Sequence, residues 1–243
     1  MSALEKPMSR PEPRREDTAE SFDQVILSRF ACRDFTDRPV SKRMIEEILE
    51  VARFAPSGAN IQPWQVHVVA GQQKERISHA LVKAHREARD QHASEYTYYS
   101  AELPEPYLSR RARFGHLFYG SLGIQQSDAE ARANQTAKNY MFFGAPAGLI
   151  ITIDRRLAVG SWLDLGMFIQ TVLLAARARG LATCPQETFA KYHRLLREML
   201  AIPPEQMVVC GVSIGWARNE ARRSQRLMPR ADVAEFASFT GFD

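Results

Sequence analysis

Cysteine is scarce: the 243 residues hold three, Cys32, Cys184 and Cys210, widely separated and with no C-x-x-C pair. An odd, scattered set excludes a disulfide framework and points to a reducing, cytoplasmic setting. No apolar run approaches the roughly 20 residues that span a bilayer, and the start, Met1-Ser2-Ala3, soon turns charged and lacks the apolar core of a signal peptide. No membrane partner is expected. The six histidines form neither H-E-x-x-H nor a tight cluster with cysteine or acid, so no metal site is expected. G-x-G-x-x-G and the Walker pattern are both missing, so any nucleotide-like ligand must be held by another scheme. An excess of one charge is missing too. The balance of 32 basic against 28 acidic side chains leaves +4, too little for a nucleic-acid face.

What is present is an ordinary core-forming composition, 45% hydrophobic and 25% charged. Residues 1–20 carry Pro7, Pro11 and Pro13 among mixed charges and read as a tail that cannot offset its ordering entropy. Residues 21–243 read as one domain. Met44, Ile45, Ile48, Leu49 and Ala52 follow a helical period behind Ser41 as N-cap. Pro56 stops that helix, and Trp64–Val69 reads as a strand ending at Gly71. A polar helix to about residue 93, an irregular tyrosine- and proline-containing excursion over 94–108, and a helix over about 126–140 follow. Leu149–Ile153 and Met207–Ile214 read as buried strands, and 161–179 as the most apolar helix, with Gly180 at its C-terminal cap. A further helix is expected over 189–200. The class is α+β.

Gly211-Val212-Ser213-Ile214-Gly215 matches the nucleophile elbow of esterases and follows a strand. It fails on chain order. The acid and histidine must come after the serine, and the last histidine is His193.

Three segments point elsewhere. In Arg29-Phe30-Ala31-Cys32-Arg33-Asp34-Phe35, two arginines four apart can converge on one anion through bidentate guanidinium contacts. Pro56-Ser57-Gly58-Ala59-Asn60-Ile61-Gln62-Pro63-Trp64 gives a small-residue loop where backbone can approach a flat ligand, with Ser57 and Asn60 as polar side chains. In Gly180-Leu181-Ala182-Thr183-Cys184-Pro185-Gln186-Glu187-Thr188, Pro185 imposes an extended turn whose following N–H groups can face a ligand.

From about residue 22 onward the chain resembles the nitroreductase family of FMN enzymes. The family's R-x-S-x-R-x-F stands as Arg29–Phe35, and its P-S-x-x-N-x-Q-P-W as Pro56–Trp64. Its D-x-G helix and G-L-x-T-C-P appear as Asp164, Gly166 and Gly180–Pro185. Its closing S-I-G-aromatic and arginines appear as Ser213–Trp216, then Arg222, Arg223 and Arg226. The resemblance implies a central, mostly antiparallel sheet flanked by helices, in an intertwined homodimer that shares its flavins across the apolar helix. It implies that Arg29 and Arg33, with Phe30 and Ala31 between them, hold the FMN phosphate together with Arg223 or Arg226. Pro56, Ser57 and Asn60 would line the isoalloxazine, and Pro185, Gln186, Glu187 and Thr188 would cover its other side. Ala31 departs from the family serine, a lost hydroxyl contact worth ~1 kcal/mol. No pyrimidine-facing asparagine or lysine stands out between 72 and 115.

The implied reaction is ping-pong reduction of a small nitroaromatic acceptor by NAD(P)H, through nitroso to hydroxylamine. The flavin would carry the chemistry, with no catalytic side chain. Tyr107 and Phe118 are candidates for stacking on the acceptor, and Arg110 and Arg113 for reading a carboxylate on it. Reductive dehalogenation and enone or quinone reduction are alternatives on the same scaffold. A flavin-binding protein without turnover is the alternative of another class.

Overall fold

The Ser41 hydroxyl accepts the Met44 N–H at 3.2 Å and so starts α2 (Lys42–Ala52), which buries Ile45, Ile48 and Ala52. This cap is the one its spacing predicts. The computed structural model describes residues 18–218 and 228–242. Their elements, with α2, are α1 (Thr18–Ser28), β1 (Trp64–Ala70), α3 (Gly71–Glu87), α4 (Tyr107–Ser121), α5 (Ala129–Ala137), β2 (Ala147–Asp154), α6 (Val159–Ala178), β3 (Ala182–Gln186), α7 (His193–Leu200), β4 (Gln206–Gly215) and α8 (Val233–Phe236). Short 3-10 turns link several of them.

The four strands form one antiparallel sheet in the order β1-β2-β4-β3, the α+β arrangement expected. β2 and β4 are central and buried on both faces, which explains their unbroken apolar runs. One face carries Leu149, Ile151, Val212 and Ile214 against α2 and α6. The other carries Ile150 and Val208 against Ile77 and Leu81 of α3 and Leu196 of α7. On that second face Gly148 and Gly211 leave room for the rings of Phe142 and Phe189.

Three differences from the sequence expectation stand out. Ala182–Gln186 is a strand rather than only a turn. Pro185 is tolerated because β3 is an edge strand and need not donate outward. The irregular excursion expected over 94–108 ends at Tyr107, where α4 begins, a helix that stood in no expectation and none of whose residues is buried. The helix expected over 126–140 is the shorter α5, continued by a 3-10 turn in which Phe142 and Phe143 both take φ of 52°.

By length and composition α6 could cross a membrane, yet it is a core helix here. It packs Leu165, Phe168, Val172 and Ala176 inward and leaves Val159, Leu163 and Met167 exposed. Trp64 of β1 stacks on Phe168 at 4.6 Å.

Three histidines are held below their ordinary pKa of 6.5. Burial does this for His67, burial with Arg89, Lys191 and Arg86 for His85, and burial in spite of Glu95 for His193. The unfolded chain therefore binds more protons once pH falls below that value, so stability is complete above it and lost on acidification. Glu187, whose carboxyl is raised by burial, acts in the opposite direction but is one group against three. The urea midpoint is expected to fall between pH 7.5 and 5.5, with a shallower slope in His85→Gln. A flat profile would contradict this assignment.

Candidate functional site

The first arginine segment leaves α1 and lies along the sheet edge. Ala31 forms a parallel bridge with Thr183 of β3, Cys32 N–H donates to Thr183 O at 2.9 Å, and Phe35 bridges to Ala217 just beyond β4. Phe30 packs half-buried against the core, and Cys32 is buried completely. This stitching sets both Arg29 and Arg33 within electrostatic reach of Cys184 in β3. Arg29 is half-buried, and its pKa is lowered first by that burial and then by Arg230. Among the described residues neither Arg29 nor Arg33 has a carboxylate partner. Cations left together without an acid are the donor set of an anion site. Arg223 and Arg226 lie outside the described residues. The closing arginine found beside Arg29 is Arg230, which no motif had singled out.

Further along the same strand, Pro185, Gln186 and, just past its end, Glu187 enter the wall of a cavity of about 480 Å³. The wall also includes Tyr96, Tyr98, Trp162, Gly166 and Cys210. Its size and aromatic lining suit a flat organic ligand. Tyr96 is fixed by donating to Val209 O at 2.6 Å. Its segment is anchored by Glu95, which faces Arg155 at 2.9 Å, His193 at 3.2 Å and Arg197 at 3.4 Å. The Gln186 side chain is committed elsewhere: its amide donates to Asn139 O at 2.8 Å, and its oxygen accepts from Ser213. Thr188 shares a 2.6 Å hydrogen bond with Tyr140, whose neighbour Tyr192 meets His85 at 3.0 Å. With those two side chains committed, this turn can present to a ligand the Glu187 side chain and backbone, since the first N–H groups of a helical turn have no acceptor within it.

Ser213 is fully buried beneath that glutamine. A nucleophile elbow needs an exposed hydroxyl, so its G-x-S-x-G match is a strand ending in small residues.

The Pro56–Asn60 loop is tightly built. Asp164 of α6 accepts the Gly58 N–H at 3.1 Å, and the Ser57 hydroxyl accepts the Gln62 N–H at 3.0 Å. Ala59, Asn60 and Gln62 hold φ of 49°, 58° and 51°, in the left-handed region that costs most residues energy. Pro56 and Asn60 are exposed and Ser57 half-buried. Asp164, quoted only as part of a motif, is the side chain that pins this loop. Trp162, Gly166 and Ile169 face the cavity, whereas at 100° per residue Asp164 points to the opposite side of α6. One chain therefore sets the loop and the cavity on opposite sides of one helix.

The remaining candidates lie on α4. Tyr107 is exposed at its first turn, and Arg110 pairs with Glu235 of α8 at 3.2 Å. Arg113 is exposed. Phe118 is half-buried, with the Arg33 guanidinium 4.6 Å from its ring centroid. None of the four lines the cavity of its own chain. Among the described residues no cluster of His, Cys, Asp and Glu could hold a metal.

Fold and site together define an α+β protein with a cation cradle and an aromatic cavity on one edge strand. The chain belongs to the Nitroreductase family, whose model matches residues 26–216. It is 42% identical over 224 residues to a 4-nitrobenzoate reductase of Pseudomonas putida, covering 92% of this chain and 97% of that protein. It is 40% identical to the nitrobenzene nitroreductase of Ectopseudomonas oleovorans, covering 91% and 98%. The FMN- and NADPH-dependent nitroreductase NfnB from Sphigopyxis sp. strain HMH shares its fold with a TM-score of 0.87 at 37% identity, over 91% and 99% of the two chains. The FMN-dependent NfnB from Mycobacterium smegmatis, solved in complex with NADPH, also reaches 0.87, at 30% identity over 92% and 100%.

Proposed function

We propose that this chain is an FMN-dependent oxidoreductase that uses NAD(P)H to reduce nitroaromatic compounds, through nitroso to hydroxylamine. The observation that carries the reading is the juxtaposition on β3 of acid-free arginines with an aromatic cavity. A phosphate fits the first and a flat ring the second. The names of the relatives agree with it. Arg29, Arg33 and an arginine of the closing segment would hold the phosphate, while Pro185–Thr188 would present backbone N–H groups to the ring. When bound, FMN supplies the two-electron chemistry between NAD(P)H and the acceptor. The chain binds and orients, and it excludes water with Tyr96, Tyr98 and Trp162.

The active unit in this reading is a homodimer. The Pro56–Asn60 loop is pinned to Asp164, away from the α6 residues that line the cavity of its own chain, and a second copy would supply it. The exposed Leu163 and Met167 of α6, with Val51, Phe54 and Ile61 beside the loop, form an apolar surface that supports such pairing. Ping-pong turnover, in which NAD(P)H leaves before the acceptor enters, is the kinetic form of this reading. Three free, buried thiols suit a cytoplasmic location.

An absorption spectrum tests the function directly. Flavin bands bleached by NAD(P)H and restored by 4-nitrobenzoate are expected, with parallel double-reciprocal plots in steady state. A protein that stays colourless after incubation with FMN defeats the proposal, and a bleached flavin that no acceptor restores leaves only a binding protein. Dilution tests the dimer, because FMN affinity should drop at protein concentrations where sedimentation shows monomer.

A further inference from the structure

We propose that Glu187 is the general acid of the acceptor-reducing step, delivering to the nitro oxygen the proton that NAD(P)H does not bring. This rests on the function proposed above and adds a catalytic side chain where the sequence implies none.

The need for a proton follows from the balance. A nitro group, NAD(P)H and one proton give a nitroso group, NAD(P)⁺ and water. NAD(P)H contributes two electrons and one hydrogen as hydride. One N–O bond breaks, and the departing oxygen leaves as water, so its second hydrogen must come from the medium. In the proposed step the Glu187 O–H bond breaks as that oxygen takes the proton, and the carboxylate regains one from solvent through its exposed half.

Position singles out this residue. Glu187 opens the turn after β3 and, among the described residues, is the only acidic one in the cavity wall. Among the described residues no cation pairs with it. Its surroundings are apolar or phenolic: Tyr96 and Tyr98 from the segment before α4, Tyr140 from the 3-10 turn before β2, and Cys210 from β4. Burial raises all three phenols, and it raises the Cys210 thiol to about 12, so none of them changes charge near neutrality. Burial also raises the Glu187 carboxyl, which holds its acid form to higher pH than an exposed glutamate would. Glu187 is thus the group of this wall whose proton is given up most easily, since burial acts on a carboxyl here and on far weaker acids in the phenols and the thiol.

The test uses the flavin-loaded protein, reduced with NAD(P)H without oxygen and mixed in a stopped-flow instrument with 4-nitrobenzoate or with ferricyanide. Ferricyanide takes electrons singly and needs no proton. In Glu187→Gln the nitrobenzoate rate is expected to fall at least about tenfold further than the ferricyanide rate, given the usual scale of general-acid catalysis. The alkaline decline of the native nitrobenzoate profile should vanish with it. Glu187→Asp, which keeps an acid set back by one carbon, should keep the alkaline limb and recover part of the rate. In flavin-free protein, difference infrared spectra across a pH titration should show a carboxylic acid C=O band that fades above the usual carboxylate range and that Glu187→Gln lacks. An equal loss with both acceptors, or an alkaline limb that survives in Glu187→Gln, overturns the assignment. A native protein that takes up no FMN fails at the earlier step and overturns the proposed function instead.

Discussion

Replacing Arg29 and Arg33 together by alanine is expected to weaken FMN binding by about three orders of magnitude, at roughly 1.5–3 kcal/mol for each charge-assisted contact and 1.4 kcal/mol per tenfold. Ordinary surface arginines would cost far less, because water screens their charge. Arg29 is not ordinary: it is half-buried, it feels Arg230, and no described carboxylate offsets it. The two effects of the change therefore have opposite signs. Removing an uncompensated, partly desolvated cation leaves the ligand-free fold as stable as before or more so, while the ligand loses its strongest contacts. Fluorescence titration of FMN measures the first quantity and thermal unfolding of ligand-free protein the second. The double lysine variant should fall between, since it keeps charge but loses the bidentate fork. Affinity within tenfold of the native value in the alanine variant would remove these residues from the phosphate site.

The largest stability effect is expected at Gly148. A Cβ there would lie 2.2 Å from the Phe142 ring, far inside contact distance. The ring has nowhere to go. Phe142 is fully buried, its backbone holds φ of 52°, and its ring meets Phe189 at 4.8 Å. Glycine in a strand interior ordinarily costs stability, so its presence here is explained by the space that the ring needs. Gly148→Ala should lower the unfolding free energy by about 3 kcal/mol, the upper part of the range for overpacked cores. The urea midpoint reports this loss. Adding Phe142→Leu should return part of it, a coupling that independent sites would not show. Equal losses from Gly148→Ala in both backgrounds would show that the ring is not the obstacle.

Much of the fold is legible in the chain. A serine before a 3.6-residue apolar period becomes a capped α2. Continuous β-branched runs become the two central strands, because both faces of the sheet are covered. Gly180 takes φ of 79° just past α6, as a C-terminal cap requires. The motifs are legible for the same local reason. The arginine pair proposed to cradle a phosphate, the small-residue loop and the proline turn each depend on residues near in sequence.

Relations between distant segments are what the chain alone leaves open. Pro185 argues against a strand by itself, and only pairing with Val212 across the sheet edge makes it one. Phe118 reads as an aromatic free to meet an acceptor, yet in the fold it lies beneath Arg33. Arg230 belongs to no motif, and only the fold brings its charge to bear on Arg29. Glu187 reads as one member of a turn. It becomes a candidate acid because phenols and a thiol from three other segments surround it without a cation.

The sequence by itself determined the class, the strands and helices, and the residue types that make a phosphate-and-ring site, since each rests on short-range patterning. Only the tertiary structure decided which of those residues share a site. Loop 56–60 and the cavity sit on opposite sides of α6, and the burial that alters Arg29 and Glu187 arises from residues far away along the chain. Helix direction and desolvation are properties of the packed whole, which no local pattern encodes.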